Sequence, residues 1–375
     1  MHKKIRVGVL FGGKSFEHEV SLLSAKNVID AIDPDKYEVV LIGIDKNGEW
    51  HLRENQHYLA DAHHPKLVQF TGSKEPIAVV PKEEGKQFVS LSKKGPLGSL
   101  DVIFPVLHGP NGEDGTVQGL LKLADIPFVG AGVLGSAVGM DKDVMKRLLR
   151  DAGIPTAKFV SILSHQAHLF PFEKLEKELG LPFFVKPSNA GSSIGISKVK
   201  KKEDYKAAIE SAFEYDRKIL VEEFVEGREI ECSVLGNEHP IVSLPGEVIT
   251  ETTEFYSYEA KYVEGSGAIF KLPVELPPDL LSKVQTISRE AYQVLCCEGM
   301  ARVDLFLKKN GDVVVNELNT IPGFTKLSPF PQLWEASGIP FPELVDRLIE
   351  LALDRHKKEK QVKTSFANLE SIQTK

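Results

Sequence analysis

The sequence predicts an α/β protein in which an N-terminal region with a parallel sheet is followed by two mixed α+β regions. The apolar runs Ile5–Phe11 and Val39–Ile44 flank Glu17–Ile32, where apolar residues recur at helical spacing. A strand–helix–strand order is typical of a parallel sheet. Strand-like and helix-like segments then alternate as far as residue 356. At roughly 150 residues per domain, the 375 residues make two or three domains.

Residues that end strands and helices bound most of these elements. Gly12-Gly13 closes the first strand, Asp33-Pro34 ends the first helix, and residues 52–98, which are polar and rich in His and Pro, predict only short strands. The other predicted strands are 101–107, 183–186, 194–199, 218–225, 228–235, 240–249, 301–307 and 312–318, and the other helices are 141–152, 172–179, 202–214, 278–295 and 341–353. We expect an N-terminal domain over 1–139, a central region over 140–227, a C-terminal region over 228–356 and a disordered polar tail over 357–375.

Composition places the chain among globular proteins and excludes several functions. Hydrophobic residues make up 42% and charged residues 26%, which allows a sizeable core. Lys and Arg number 46 against 53 Asp and Glu, a net charge of −7, so we expect no nucleic-acid-binding surface. No signal peptide or membrane span is evident, and three cysteines without a CxxC pair argue against disulfides and structural zinc. We therefore expect a cytoplasmic protein.

Two stretches match nucleotide-binding motifs only formally. Gly8–Ser15 fits the phosphate-loop pattern G-x-x-x-x-G-K-[ST], but Gly8 lies inside the first predicted strand, which favours a plain strand-to-helix turn. Gly130–Gly135 fits the dinucleotide pattern G-x-G-x-x-G, but the short run before it contains Pro127 and does not open the fold. A nicotinamide-dependent dehydrogenase built on Gly130–Gly135 remains an alternative function.

The last predicted hairpin carries the strongest functional signal. Asn310-Gly311 is the preferred two-residue type I′ turn, and it places Lys309 opposite Asp312. Side chains alternate along a strand, and opposed residues have Cβ atoms roughly 5 Å apart. The register therefore gathers polar side chains on one face, with Asp304 opposite Glu317 and Arg302 opposite Asn319, and leaves Val303, Leu305, Leu307 and Leu318 on the face that suits burial.

Two opposed carboxylates repel each other and require compensation. A hard divalent cation supplies it, and one or two Mg²⁺ ions would leave coordination positions open for substrate phosphates. Neutralisation by Arg302 alone is the alternative, but it gives no role to Asn319 or to the following Thr320–Gly323 turn. We therefore predict a metal site at Asp304, Glu317 and Asn319.

Positive charge is concentrated earlier in the chain. Lys142 begins a helix after a Gly-rich stretch, and Lys186 ends an apolar strand and enters the Gly/Ser loop 187–195. The N–H groups of such a loop can close over phosphates. The hinge 221–229 joins two strands and could present backbone groups to an adenine and Glu222 or Glu229 to a ribose. Read alone, the lysines are surface residues and the hinge is an acidic turn.

In this order the motifs resemble those of ATP-grasp enzymes, and more closely those of the D-alanine–D-alanine ligase family. The resemblance covers nearly the whole chain, and its motifs are Gly12-Gly-Lys-Ser-Phe-Glu17-His-Glu-Val-Ser21, His108-Gly-Pro-Asn-Gly-Glu113-Asp-Gly-Thr-Val-Gln-Gly119, Met140-Asp-Lys142, Val185-Lys-Pro187 with Gly191-Ser-Ser-Ile-Gly195, Tyr258-Glu-Ala-Lys261-Tyr262, and Arg302-Val-Asp304 with Asn316-Glu317-Leu-Asn319-Thr-Ile-Pro-Gly323. It implies that the N-terminal α/β domain is followed by a two-part ATP-grasp fold. It also implies ATP-dependent ligation of two D-alanines through an acyl-phosphate for peptidoglycan synthesis, by a homodimer that uses two Mg²⁺ ions or Mn²⁺ in their place.

The resemblance also implies the role of individual residues. Glu17, assisted by Ser192 and Tyr262, would orient the ammonium group of the first D-alanine, with His108 beside it. Arg302 and the Gly323 N–H would form an oxyanion hole, and Lys261 and Ser328 would hold the carboxylate of the second substrate. The ATP site would comprise Lys142, Lys186, Ser193, Glu222, Glu223, Phe224, Val225, Glu229, Phe306 and Asn316, and the metal ligands would be Asp304, Glu317 and Asn319.

The sequence departs from the family pattern at two places. Glu223 stands where many relatives have Lys, which puts a side-chain contact to adenine in doubt, and 327–330 reads Leu-Ser-Pro-Phe where His-Ser-Leu is expected. Ligation of D-lactate or D-serine is an alternative, but Lys261-Tyr262 favours D-alanine. A non-catalytic ATP-binding module is a further alternative. The loops 190–194 and 255–262 would act as lids.

Overall fold

The computed structural model describes residues 3–53, 59–60, 68–71, 75–81, 85–92, 98–250 and 268–363. The predicted lid over 255–262, with Lys261 and Tyr262, lies outside these residues. The described chain forms two six-stranded sheets, a four-stranded sheet and a two-stranded pair. None of the helices in this part of the chain is long and apolar enough to cross a membrane.

The first sheet has the predicted parallel pairing among three of its strands and antiparallel pairing among the others. It contains β1 (Ile5–Gly12), β2 (Tyr37–Ile44), β3 (Trp50–Arg53), β6 (Glu75–Val79), β7 (Phe88–Ser90) and β8 (Val102–Val106), in the order β7-β6-β3-β2-β1-β8, while β4 (Leu59–Ala60) and β5 (Gln69–Phe70) form the separate pair. β1 is parallel to both β2 and β8. Because helices and loops cover both faces of β1, its side chains are apolar on both sides, and Val7, Val9, Leu10 and Phe11 are fully buried.

Both formal nucleotide motifs have packing roles. Gly8 lies within β1, where a Cβ atom would come within 2.5 Å of the Ile103 side chain. Gly135 lies in a helix where a Cβ atom would come within 2.6 Å of the Cys296 carbonyl oxygen. Each glycine therefore allows two elements to approach closely, and neither belongs to an open phosphate-binding loop.

The second sheet and its helices form the central region. α1 (His18–Ala31), α2 (Thr116–Leu123), α3 (Val133–Met140) and α4 (Lys142–Asp151) precede it; then come β9 (Phe159–Leu163), a 3₁₀ turn (Ser164–Leu169), α5 (Phe172–Leu179), β10 (Phe183–Pro187), β11 (Ser197–Val199), α6 (Lys202–Tyr215) and β12 (Lys218–Glu223). The strand order is β11-β10-β12-β9, and all neighbours are antiparallel. Asp141 caps α4 by accepting hydrogen bonds from the N–H groups of Asp143 and Val144, which fixes where Lys142 begins the helix.

The third sheet carries the predicted hairpin. Its elements are β13 (Arg228–Leu235), β14 (Ile241–Val242), β15 (Gly246–Thr250), β16 (Ala268–Lys271), α7 (Pro278–Val294), β17 (Met300–Leu307) and β18 (Val313–Asn319). The order is β16-β15-β13-β17-β18, with β14 paired to β13. One face packs on α7, where Val303, Leu305, Leu307 and Leu318 are buried as predicted.

The turn of this hairpin differs from the prediction. The Lys308 N–H donates to the Asp312 carbonyl at 2.8 Å, so Lys308 and not Lys309 faces Asp312. The loop therefore has three residues and ends with Gly311 at φ +82, the second common hairpin geometry. A bulge between Asp304 and Leu305 then restores the predicted register, with Asp304 opposite Glu317 and Arg302 opposite Asn319.

The C-terminal helix packs against the N-terminal sheet. After α8 (Pro329–Ala336), α9 (Phe341–Glu359) packs against the first sheet, and Leu344, Leu348 and Ile349 share its core with Val7 and Phe104. α9 extends beyond the predicted end at residue 353 and beyond the predicted start of a disordered tail at 357. In this extension Lys358 forms ion pairs with Glu238 and Asp354. Residues 364–375 lie outside the described part.

Candidate active site

Two adjoining cavities contain nearly all of the predicted site residues. The larger, of 230 Å³, is lined by residues of the second sheet, the third sheet and the loop between β10 and β11. Its lining includes the predicted residues Lys142, Lys186, Ser192, Ser193, Glu222, Glu223, Phe224, Val225, Glu229, Asp304, Phe306, Asn316 and Glu317. The smaller, of 60 Å³, is lined by Glu17, His108, Arg302, Asn319, Gly323 and Ser328, and it shares Gly191, Ser192, Glu231 and Glu317 with the larger one.

A row of three carboxylates crosses the third sheet at the border of the two cavities. Glu231 on β13 pairs with Asp304 on β17, which pairs with Glu317 on β18. The sequence reasoning missed Glu231, although it lies two residues from Glu229 on a correctly predicted strand and therefore on the same face. Three carboxylates thus meet where two had been predicted.

Two cations offset most of this negative charge. Arg302 binds both Asp304 oxygens at 2.7 and 2.8 Å and lies 3.1 Å from Glu231. Burial disfavours its charge, but Asp304 and Glu231 outweigh burial and raise the pKa of Arg302 well above its ordinary value. Lys142 Nζ lies 3.1 Å from Glu317 Oε2. Three carboxylates against two cations leave one net negative charge, which suits a bound divalent ion whose ligands are oxygens.

A buried lysine–glutamate–lysine triad lies beneath the larger cavity. Glu222 Oε1 is 2.5 Å from Lys186 Nζ, and Glu222 Oε2 is 2.8 Å from Lys146 Nζ. Burial lowers the pKa of Lys146; it would raise that of Glu222, but the two lysines outweigh it and lower the Glu222 pKa. Both Glu222 oxygens are therefore engaged by lysines. Glu229, the other predicted ribose contact of the hinge, also lines the larger cavity.

Lys146 is a functional candidate that sequence reasoning missed. Its side chain is completely buried. Lys146 lies four residues after Lys142 on α4, and this spacing places both lysines on one helix face. That spacing is the signal that could have identified it.

Glu223, a predicted ATP-site residue of the hinge, forms hydrogen bonds with Lys158. The Glu223 N–H donates to the Lys158 carbonyl at 3.0 Å, and Glu223 Oε1 accepts from the Lys158 N–H at 2.9 Å. The Glu223 N–H and one of its carboxylate oxygens are therefore engaged by Lys158, the residue that precedes β9. The next hinge residues, Phe224 and Val225, also line the larger cavity.

The smaller cavity contains a second concentration of acid groups. Ser192 donates a hydrogen bond to Glu17 across the border between the loop and α1. His108 contacts the Ile321 carbonyl at 3.1 Å and Ser24 Oγ at 3.2 Å, and burial lowers the pKa of His108, so the ring is neutral at pH 7. His108 and Glu17 both line this cavity.

Glu113 also lines the smaller cavity, although its motif had suggested no role for it. Its carboxylate accepts the Gly109 N–H at 2.7 Å and the Ile321 N–H at 3.3 Å. Burial and the nearby charge of Glu17 raise the pKa of Glu113 to about 8. On the opposite wall, a Cβ atom at Gly323 would lie 2.5 Å from Ser328 Oγ, so only glycine fits there without displacing Ser328.

Comparison with known proteins identifies the family. The model of the D-ala D-ala ligase N-terminus matches residues 6–131, and that of the D-ala D-ala ligase C-terminus matches residues 148–350. The chain belongs to the D-alanine–D-alanine ligase family. Its members include a D-alanine–D-alanine ligase of Oceanobacillus iheyensis, 52% identical over 96% of this chain and 99% of that protein, and the D-alanine–D-alanine ligase A of Escherichia coli K12, 49% identical over 97% and 100%.

Solved structures of ligases have the same fold. The D-alanine–D-alanine ligase of Coxiella burnetii superposes with a TM-score of 0.83 at 39% identity, covering 96% of both chains. The VanG D-Ala:D-Ser ligase of Enterococcus faecalis superposes with a TM-score of 0.81 at 36% identity, covering 93% of this chain and 100% of that one. The fold is therefore the predicted one, an N-terminal α/β region followed by ATP-grasp elements. Both D-alanine and D-serine ligases share it, so the fold alone does not define the second substrate.

Proposed function

We propose that this chain joins two D-alanine molecules into D-alanyl-D-alanine for peptidoglycan precursor synthesis, with conversion of ATP into ADP and phosphate. The observation that carries the proposal is the junction of the two cavities at Ser192 and Glu317. A nucleotide in the larger cavity would direct its phosphates toward a carboxylate in the smaller one. Relatives at about 50% identity that bear the name D-alanine–D-alanine ligase support the same conclusion.

ATP would lie between the second and third sheets. Lys142 and Lys186 would neutralise its phosphates, the loop around Ser193 would close over them, and Phe224-Val225 would face the adenine. Glu229 would accept the ribose hydroxyl groups. Lysines positioned in this way favour transfer of the γ-phosphoryl group because they stabilise the charge that spreads over its oxygens.

Divalent cations would complete the phosphate site. We propose that Asp304, Glu317 and Asn319 hold two Mg²⁺ ions, which Mn²⁺ can replace. The net negative charge of the carboxylate row supports this, as does the oxygen chemistry of the ligands. When bound, the ions would supply further neutralisation of phosphate charge.

The first chemical step would activate a carboxylate. Glu17, held by Ser192, would bind the ammonium group of the first D-alanine. This contact would direct the carboxylate of that D-alanine toward the γ-phosphate. Attack by a carboxylate oxygen would give an acyl-phosphate and ADP, replacing a poor leaving group with phosphate. Water must be kept out during this step, because it would hydrolyse the acyl-phosphate.

The second step would form the peptide bond. The deprotonated amine of the second D-alanine would attack the acyl carbon, and Arg302 with the Gly323 N–H would stabilise the oxyanion until phosphate leaves. Arg302 is held on Asp304 and Glu231, so it would be oriented before the substrate binds. Ser328 and Lys261 would hold the carboxylate of the second D-alanine.

The decisive experiment is a direct assay with a matched pair of variants. The protein is incubated with ATP, Mg²⁺ and D-alanine, and ADP, phosphate and dipeptide are measured, with D-serine and D-lactate tested as second substrates. Glu317→Gln should abolish turnover, whereas Glu173→Gln should retain it, because the Glu173 side chain on α5 is 59% exposed, pairs with the surface residue Lys202 and lines neither cavity. Absence of D-alanine-dependent ADP release would refute the proposal, and full activity of Glu317→Gln would refute the metal assignment.

Two further proposals follow from the family. We propose a homodimer and a cytoplasmic location, where ATP is available. Light scattering behind a sizing column would test the first, with a mass of one chain contradicting it, and cell fractionation would test the second.

A further inference from the structure

We infer that Asp45, Glu49 and His51 form a site for a divalent transition-metal ion such as Zn²⁺, separate from the carboxylate row. Asp45 and Glu49 lie in the tight turn between β2 and β3, and His51 lies in β3. One oxygen of each carboxylate and one ring nitrogen of His51 lie within 4.8 Å of one another. Imidazole and carboxylate together are common zinc ligands.

His51 is the observation that points to a ligand. Its side chain is only 7% exposed, and neither ring nitrogen has a hydrogen-bond partner among the residues that the structure describes. Its Nε2 lies 3.6 Å from Asp45 Oδ2 and 3.7 Å from Glu49 Oε2. These separations are too long for hydrogen bonds. Two ligand atoms that each lie 2.0–2.1 Å from a tetrahedral zinc ion are roughly 3.4 Å apart, so the spacing fits a shared ion.

Two hydrogen bonds within the turn orient the Asp45 carboxylate. Its Oδ1 accepts the Asn47 N–H at 2.9 Å and the Glu49 N–H at 3.0 Å, while Oδ2 faces His51. Burial would raise the pKa of Asp45, but the two N–H groups, together with the neighbouring His51, outweigh it and lower the pKa below its ordinary value. The carboxylate is therefore ionised at neutral pH, as a metal ligand must be.

The two basic residues nearest in sequence, Lys46 and Arg53, make contacts with other groups. Lys46, on the same turn, is engaged by Glu19. Arg53 stacks 4.3 Å above the ring of Phe70 and donates to the Thr71 carbonyl at 3.4 Å. The competing explanation is a protonated His51 between two carboxylates, which would not need a metal.

Zinc binding to the full-length protein distinguishes the two. Equilibrium dialysis against micromolar Zn²⁺, with millimolar Mg²⁺ present to occupy the oxygen ligands of the carboxylate row, should show one more zinc ion per chain for the wild type than for Glu49→Gln. Because the Glu49 side chain is 71% exposed, its replacement should leave the fold intact. Removal of this ligand should weaken binding at least tenfold, since even outer-shell changes commonly cost about 10–100-fold. Zn²⁺ should also raise the unfolding temperature of the wild type more than that of Glu49→Gln.

A matched histidine elsewhere provides the control. His356 Nε2 lies 3.5 Å from Asp125 Oδ1, but Lys360 engages the same carboxylate, so His356→Gln should bind zinc as the wild type does. His51→Gln should lose the extra ion; if that variant does not fold, Glu49→Gln decides alone. Equal zinc binding by the wild type and Glu49→Gln, or none by the wild type, would overturn the inference. Co²⁺ in place of Zn²⁺ should give tetrahedral visible absorption bands that disappear in Glu49→Gln.

Discussion

Replacing Lys146 by methionine should strongly destabilise the protein, because Lys146 is completely buried and forms an ion pair. Methionine keeps most of the volume and removes the charge. Lys146 Nζ lies 2.8 Å from Glu222 Oε2, and two unit charges at that distance attract by about 6 kcal/mol at an effective dielectric constant of 20. Relief of the buried lysine's desolvation offsets part of this loss. We therefore expect the free energy of unfolding to fall by about 3–5 kcal/mol, the usual cost of breaking a buried ion pair from one side.

Urea unfolding followed by circular dichroism measures this change, and the next residue on the helix gives the control. Arg147 pairs with Asp143 at 2.6 Å, but its side chain is 55% exposed, so Arg147→Met should cost less than about 1 kcal/mol. Glu222→Gln should cost at least as much as Lys146→Met, because it breaks the buried ion pairs with both Lys146 and Lys186. A cost for Lys146→Met as small as that for Arg147→Met would refute the reasoning.

Three further predictions concern other parts of the molecule. Since the pKa of Glu113 is raised from 4.5 to about 8, its stabilising contribution is complete below about pH 4 and is lost as the pH rises to 8. Urea unfolding at several pH values should show this decline in the wild type and a flatter profile in Glu113→Gln. Equal profiles would contradict the prediction. A thiol reagent should label Cys296 in the native protein and Cys232 and Cys297 only after unfolding, because both are buried and burial raises the pKa of Cys232 to about 12; labelling of three thiols in the native state would contradict this. Phe324→Ala should lower the free energy of unfolding by about 3–5 kcal/mol, since Phe324 is fully buried and its ring contacts three other phenylalanines; a loss below about 1 kcal/mol would contradict it.

Sequence periodicity predicted the elements whose burial pattern is regular. Phe172–Leu179 and Arg228–Leu235 were predicted to the residue, because each alternates or repeats apolar residues between clear end signals. Helices α2, α3 and α8 were not predicted. α3 has the sequence VLGSAVGM, in which small and apolar residues occupy every side, so no helical periodicity distinguishes it.

The site was predictable where motifs record contacts close in sequence or opposite in a hairpin. Lys146, Glu231 and Glu113 were missed because their roles depend on packing between elements: α4 under β12, β13 beside β17, and the loop after β8 beside residue 321. A sequence shows that such residues are charged, but only the assembled fold shows which opposing charges they meet.

The hairpin shows how a wrongly predicted turn can still give the correct strand register. A three-residue loop would move every later pair by one position, but the bulge takes up one residue of β18 and returns Asp304 to Glu317. The bulge has a second effect, because two successive residues of one strand then oppose a single residue of the other. Asn316 and Glu317 both line the larger cavity, whereas a regular strand would turn one of them into the core. The irregularity that sequence counting could not detect therefore lets two neighbouring residues line the same cavity.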